Sequence, residues 1–319
     1  MKKILITGAL GQIGTELTMY MREHYGNDNV VASNRSEHGD KIIFESGPFE
    51  LLDVVDAKGI AEVCKKHGIN QIIHLAAILS ATAEKNPQMA YDINMNGTYN
   101  VLEVAREQGI AVFTPSSIAA FGASTPADNT PQDTIQRPST MYGVTKVAGE
   151  LLCDYYFKRY GVDTRGVRFP GIISNGVLPG GGTTDYAVHI YYEALKNKKY
   201  TSYIDAGTYM DMMYMHDAIK SIHDLMEANP DKLIHRNAFN VTAMSFDPEM
   251  LAASIRKHIP EFKLTYEVDP VRQAIANSWP NSLDDSAARA EWGWKPTYDL
   301  ASMTKDMLEK LSVKLNVNL

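Results

Sequence analysis

The chain is poor in cysteine. It has two, Cys64 and Cys153, and neither sits in a CxxC or zinc-type spacing. A disulfide framework is therefore excluded, and two reduced thiols are expected. Basic charge is also in short supply. There are 31 lysines and arginines against 38 acidic residues, a net charge of -7, and no Lys/Arg run exceeds two residues. Nucleic-acid binders usually carry a basic stripe, so nucleic acid is not an expected partner. No apolar run approaches the ~20 residues of a membrane span. The N-terminal MKKILITG lacks the longer apolar run and cleavage site of a signal peptide, so a cytoplasmic protein away from membranes is expected. Nine histidines show no HExxH or comparable ligand spacing, and no metal is expected. What is present is ordinary for a globular protein: 319 residues, 45% hydrophobic and 22% charged, enough for two domains or one large one.

Lys3 to Thr7 has strand character and runs directly into Gly8-Ala9-Leu10-Gly11-Gln12-Ile13-Gly14, followed by a helical pattern to about Tyr25. Strand, glycine turn and helix in that order open a dinucleotide-binding unit. The spacing is GxxGxxG, one residue longer at the first gap than GxGxxG. Glycine permits the tight turn and close approach to a pyrophosphate, and the free N–H groups at the helix start bind that anion. Asn29 to Ser33 reads as the second strand. An acid is expected at its end to hold the adenosine ribose. Asn34 stands there instead, followed by Arg35. Asparagine still hydrogen-bonds a ribose but lacks the charge that repels a 2′-phosphate, and Arg35 suits either that phosphate or stacking on adenine. NAD is favoured over NADP, with selectivity left open at this site.

Lys41 to Phe44 is expected to be a short strand. Leu51-Leu52-Asp53-Val54 precedes a helix from about 56 to 67, which makes Asp53, beside Val54, a candidate adenine contact or an ordinary turn aspartate. Asn70 to Leu75 is the fourth strand and runs into Ala76-Ala77, small residues that leave room for a cofactor at the end of a parallel strand. Ile78-Leu79-Ser80-Ala81 faces the same crevice, and a helix from about Pro87 to Gln108 contains Asn94 and Asn96. This alternation implies an α/β fold with a doubly wound parallel sheet.

Ile110 to Thr114 is the fifth strand, ending in Pro115-Ser116-Ser117-Ile118 at the rim where such sheets bind ligands. Tyr142-Gly143-Val144-Thr145-Lys146 follows, inside a segment expected to be helical from Arg137 to Tyr160. Tyrosine and lysine four residues apart share one helix face. An ammonium beside a phenol favours the phenolate, so the Tyr142 pKa is expected to fall below its usual value of about 10. Tyr142 is then a proton acceptor for alcohol oxidation, Ser117 a group that orients the hydroxyl, and Lys146 the charge that tunes the base. Val162 to Phe169 is the sixth strand, leading to Pro170-Gly171.

Taken in order, TGALGQIG (7–14), HLAA (74–77), NMNGT (94–98), PSSIAAFG (115–122), YGVTK (142–146) and RFPG (168–171) resemble the extended short-chain dehydrogenase/reductase family. The resemblance implies a Rossmann domain of residues 1–171 and 206–237. It also implies a smaller C-terminal α/β substrate-binding domain of residues 172–205 and 238–319, with the segment from Asp211 to about Ala228 returning to the cofactor sheet. AAILSA (76–81), RFPGIIS (168–174) and the glycine-rich PGGGTTDYAVHIY (179–191) are most similar to the metal-independent, epimerase-like L-threonine 3-dehydrogenase branch. A nucleotide-sugar 4-epimerase or dehydratase is the alternative. The branch implies NAD-dependent oxidation of L-threonine, or a similar β-hydroxy amino acid, at its β-hydroxyl to 2-amino-3-oxobutyrate. It implies cofactor contacts that include Leu75, Ala76, Ala77, Asn94, Lys146 and Pro170. It places Ser80, Ser117, Tyr142 and Thr184 around the amino acid, with Thr183 as the competing choice, or else Thr183 as a plain helix cap. Trp279 is expected near the pocket, and Trp292 and Trp294 in packing. A homodimer through the helices 87–108 and 137–160 is the expected assembly.

Overall fold

A computed structural model describes residues 2–318. β1 (Ile4–Thr7), β2 (Val30–Asn34), β3 (Phe49–Leu51), β4 (Gln71–His74), β5 (Ala111–Phe113) and β7 (Thr164–Arg165) form one six-stranded sheet in the order β3-β2-β1-β4-β5-β7. Every pair in it is parallel. All four residues of β1 are buried, as a central strand covered on both faces requires. The covering helices are α1 (Gln12–Tyr25), α2 (Lys41–Glu45), α3 (Ala57–His67), α4 (Ser80–Lys85), α5 (Pro87–Tyr91), α6 (Gly97–Gln108) and α7 (Met141–Tyr160). Strand order reverses between β1 and β4, and the crevice at their carboxyl ends is where such sheets take ligands.

Several local expectations give way to side-chain chemistry. Residues 41–44 are helical, not extended, because Asp40 caps the turn by accepting the Ile42 N–H at 3.1 Å. Arg22 of α1 then donates to the Ile43 and Pro48 carbonyls, each at 2.7 Å, which leaves Phe49–Leu51 to pair with β2. The helix expected from Arg137 starts at Met141, where Thr140 Oγ1 accepts the Gly143 N–H at 3.1 Å. The expected helix 87–108 is divided into α5, a π-turn at Asp92–Asn96, and α6.

The sixth strand also divides. Gly166 faces the Thr114 carbonyl with no room for a side chain at 2.5 Å, and the chain changes sheets there. β7 stays in the large sheet, while β8 (Val167–Phe169) pairs with β6 (Ser116–Ser117) and β12 (Phe239–Asn240). β11 (Met210–Tyr214) does not join the large sheet either. It pairs with β9 (Gly171–Ile173) and β13 (Met244–Phe246) in a three-stranded sheet of its own. The helix after it, α9 (Met215–Glu227), does return, sharing one apolar core with α1 and β1. A further core joins α8 (Tyr186–Asn197), α10 (Pro248–Arg256), α11 (Pro270–Ala276) and α13 (Leu300–Leu315), with β10 (Lys199–Ser202) and β14 (Lys263–Tyr266) as a two-stranded edge. α12 (Ser286–Trp292) lies under the first core, where Trp294 is 2% exposed. Among the described residues no helix is long and apolar enough to cross a membrane.

Candidate active site

The glycine turn is built to let something approach its backbone. Gly8 has φ +70°, and a Cβ there would stand 2.8 Å from the Ala76 nitrogen. Gly14 lies against the Gly8 carbonyl with no space for a side chain. Gly11 is the N-cap of α1, yet no side chain caps that helix and no acid occupies its first turn. Its N–H groups and dipole therefore face the crevice free of protein anions, which suits a phosphate group. Beyond it, Asn34, Arg35, Asp53, Val54 and the Leu75-Ala76-Ala77 strand end line a cleft with about 750 Å³ of empty space. Asn34 Nδ2 donates to the Ser36 carbonyl at 3.1 Å. Asp53 Oδ1 accepts the Val55 N–H at 3.1 Å, so this aspartate organises its turn as well as lining the cleft.

The other side of Gly8, Gly11, Gln12, Ile13 and Gly14 opens on a larger cleft of about 1100 Å³. Ser80, Ser117, Tyr142, Lys146 and Pro170 meet there with Thr183 and Thr184. Gly143 allows this, since its Cβ position is taken by the Ala119 carbonyl and the Pro138 ring. α7 can thus lie directly on the segment after Ser117.

The electrostatics depart from the expected depressed phenol. Burial pushes Tyr142 up to about 12, against the pull of its hydrogen bond with Ser117. Burial likewise pushes Lys146 down to about 8, opposed by the Glu150 carboxylate. The Lys146 ammonium donates to the Pro115 carbonyl at 2.7 Å and lies 5.4 Å from the Tyr142 ring centre. A poorly hydrated pocket disfavours both charged forms, and here that outweighs their mutual attraction.

Asn94 stands one layer behind both clefts. Its Oδ1 accepts the Ile78 N–H at 2.7 Å, and its Nδ2 donates to the Ile78 carbonyl and to Thr145 Oγ1, each at 3.1 Å. Its amide holds the Ser80 segment to α7. Glu150, one turn beyond Lys146, escaped the sequence reading. It accepts from Ser116 Oγ, from Gln136 Nε2 at 2.8 Å and from Arg168 Nη2 at 2.8 Å. Its spacing of four from Lys146 on one helix face was the available signal.

On the loop side, Thr183 is fully buried and its Oγ1 has no partner among the described residues. Thr184 packs its methyl side against Gly171. Asp185, carried by the same glycine-rich loop, accepts the Gly181 and Gly182 N–H groups at 3.0 and 2.7 Å and so folds the end of the glycine run back on itself. Trp279 lines the same cleft. Among the described residues no three His, Cys, Asp or Glu side chains are grouped to hold a metal ion.

A Rossmann sheet with a glycine turn, a Ser/Tyr/Lys cluster and the Gly182–Asp185 turn around one cleft defines a class of enzymes. The sequence profile of the NAD dependent epimerase/dehydratase family matches residues 4–242, and the chain belongs to that family. An uncharacterized epimerase/dehydratase of Staphylococcus aureus strain USA300 is 60% identical over 314 residues, 98% of each chain. The structure of an L-threonine dehydrogenase from Clostridium difficile is 65% identical and superposes with a TM-score of 0.97, covering 98% of each chain. A monomeric L-threonine 3-dehydrogenase from a metagenome is 44% identical, with a TM-score of 0.92 over 98% of this chain and 99% of that one.

Proposed function

We propose that this chain oxidises L-threonine at its β-hydroxyl with NAD as acceptor. The observation that carries the reading is the meeting of Ser80, Ser117, Tyr142 and Lys146 with Thr183 and Thr184 beside an uncapped helix N-terminus in one cleft. Likeness to threonine dehydrogenases over nearly the whole chain supports the choice of substrate. Gly8 to Gly14 would hold the pyrophosphate, Asn34, Arg35, Asp53 and Val54 the adenosine, and Leu75 to Ala77 with Pro170 and Lys146 the nicotinamide half. Bound NAD would supply the hydride acceptor and, in its oxidised form, positive charge in the pocket.

The chain's own residues manage the proton. Ser117 orients the substrate hydroxyl, Tyr142 takes its proton, and Lys146 favours the phenolate that results. Ser80 with Thr183 or Thr184 holds the amino acid. We take residues 1–171 with 206–237 as the cofactor domain and 172–205 with 238–319 as the substrate domain, which would put the first group of roles on one and the loop on the other. A homodimer formed through α5, α6 and α7 completes the reading, with the protein in the cytoplasm.

The test is absorbance of NADH on adding L-threonine to the purified protein, with NADP, L-serine and a UDP-hexose run alongside. Threonine-dependent NADH supports the reading. Conversion of the UDP-hexose without net NADH would replace it with the epimerase branch of the family.

A further inference from the structure

Trp279 lines the larger cleft and is buried, and its N–H donates to the Ala276 carbonyl at 3.1 Å, at the end of α11. Pro280 follows, also buried, and its ring fixes the backbone there. The next residues are gripped by the β11/β13 pair. Asp211 and Ser245 are register partners in that antiparallel pair, so their side chains leave the same face. Ser245 Oγ donates to the Asn281 carbonyl at 2.6 Å, and Asp211 Oδ2 accepts the Leu283 N–H at 2.8 Å. The rest of the segment's backbone pairs with the chain between Ser117 and α7. The Asn281 N–H donates to the Ala127 carbonyl at 2.8 Å, the Thr130 N–H to the Ser282 carbonyl at 2.9 Å and the Asp284 N–H to the Thr130 carbonyl at 3.0 Å. Asp211 is fully buried, and its partners are the Leu283 amide and the Thr242 hydroxyl, at 2.6 Å, rather than a cation. A buried carboxyl that loses a donor is costly, so Leu283 has one well-defined place. Burial pushes the Asp211 carboxyl up to about 8, opposed by Thr242 and Leu283, with the Asp285 carboxylate adding to the rise.

We propose that Asp211 and Ser245 form a clamp that sets the position of Trp279 against the substrate, and that they are positioning residues for substrate fit rather than for proton transfer. This rests on reading the larger cleft as the threonine site. Neither residue lines that cleft. The path to the indole is short: Asn281, held by Ser245, is two residues from Trp279, with the stiff Pro280 between them. On its other side Trp279 is fixed to the end of α11. The clamp therefore acts on an aromatic wall that comes from a different stretch of chain from Ser117, Tyr142 and Lys146, and releasing it leaves the proton chemistry in place.

The full chain labelled with 5-fluorotryptophan tests this by fluorine NMR. It carries three tryptophans, Trp279, Trp292 and Trp294, and the resonance lost in Trp279→Phe identifies the first. In Ser245→Ala and Asp211→Ala the Trp279 resonance should shift or broaden while the other two stay in place. Ser245→Thr, which keeps the hydroxyl, and Asp211→Asn, which keeps an acceptor for Leu283, should restore it. In Ser245→Ala the KM for L-threonine should rise several-fold, with kcat changed by less than about twofold and the KM for NAD unmoved. Should Asp211→Ala fail to fold, the Ser245 pair of variants decides the matter. An unmoved Trp279 resonance in Ser245→Ala, or all three resonances moving together, would overturn the clamp. A displaced Trp279 with an unaltered KM for threonine would overturn its role in substrate fit. L-Threonine with NADH leaving the parent's Trp279 resonance untouched would instead sink the reading of this cleft as the threonine site, and the ligand-free comparison of variants would still decide the clamp.

Discussion

At the scale of the residue, Tyr142 shows how much of a site is local and how much is not. Its partners Ser117 and Lys146 were legible in the sequence because their order and spacing are fixed by a strand end and a helix turn. Its ionisation was not, because the burial that raises it to about 12 depends on tertiary packing, including α7 lying on the segment after Ser117. Replacing Tyr142 with phenylalanine should cut threonine-dependent NADH formation by at least about 100-fold. NADH binding, followed by its fluorescence, should survive, and full turnover in that variant would remove Tyr142 as the base. In the proposed reaction Tyr142 must first lose its proton, so kcat/KM should rise with pH on the alkaline side of neutrality. Lys146→Met withdraws a positive charge that favours the phenolate, so the rising limb should move to higher pH. A limb that stays in place would mean that Lys146 does not tune the phenol.

At the scale of the element, α7 carries Tyr142, Lys146 and Glu150 on one face, and the third of these anchors the helix to β8. Glu150 and Arg168 are about 5% and 7% exposed along their side chains and form a paired, hydrogen-bonded ion pair. Removing one partner leaves a buried charge alone, which costs far more than the intact pair contributes. Arg168→Met should therefore destabilise the fold by about 3–5 kcal/mol, read from denaturant midpoints. A loss below about 1 kcal/mol would mean the pair is better hydrated than its burial suggests. The central strands β1, β2, β4 and β5 and the helices α1 and α3 were readable from periodicity and glycine punctuation. The break at Gly166 and the π-turn at Asp92–Asn96 were not, since both answer to distant partners: the Thr114 carbonyl for the first, Ile78 and Thr145 through Asn94 for the second.

At the scale of the whole molecule, α5, α6 and α7 present an outer face left exposed among the described residues. Tyr91 is 53% exposed, Leu151 61%, Tyr155 51% and Tyr99 48%. Large apolar side chains gathered on neighbouring helices mark an association surface more often than bare surface. One relative is monomeric, so the dimer proposed for the present chain is put to the test in solution. Light scattering should give the mass of a dimer, and Leu151→Glu should give that of a monomer with the fold intact by circular dichroism. A parent protein already at monomer mass would dispose of the dimer.

The cleft also has a property that bears on descent. The proton chemistry is assigned to one helix and the strand end beneath it, whereas six of the other lining residues, Gly171, Ile172 and Gly182 to Asp185, come from one run of chain. Within it residues 174–182 are short and irregular, tied near one end by Ser174 accepting the Gly176 N–H and near the other by Asp185 accepting the Gly181 N–H. A lineage can lengthen, shorten or rewrite it without touching the sheet or the base. New substrates would then be acquired by editing one stretch of gene while the reaction itself is inherited unchanged.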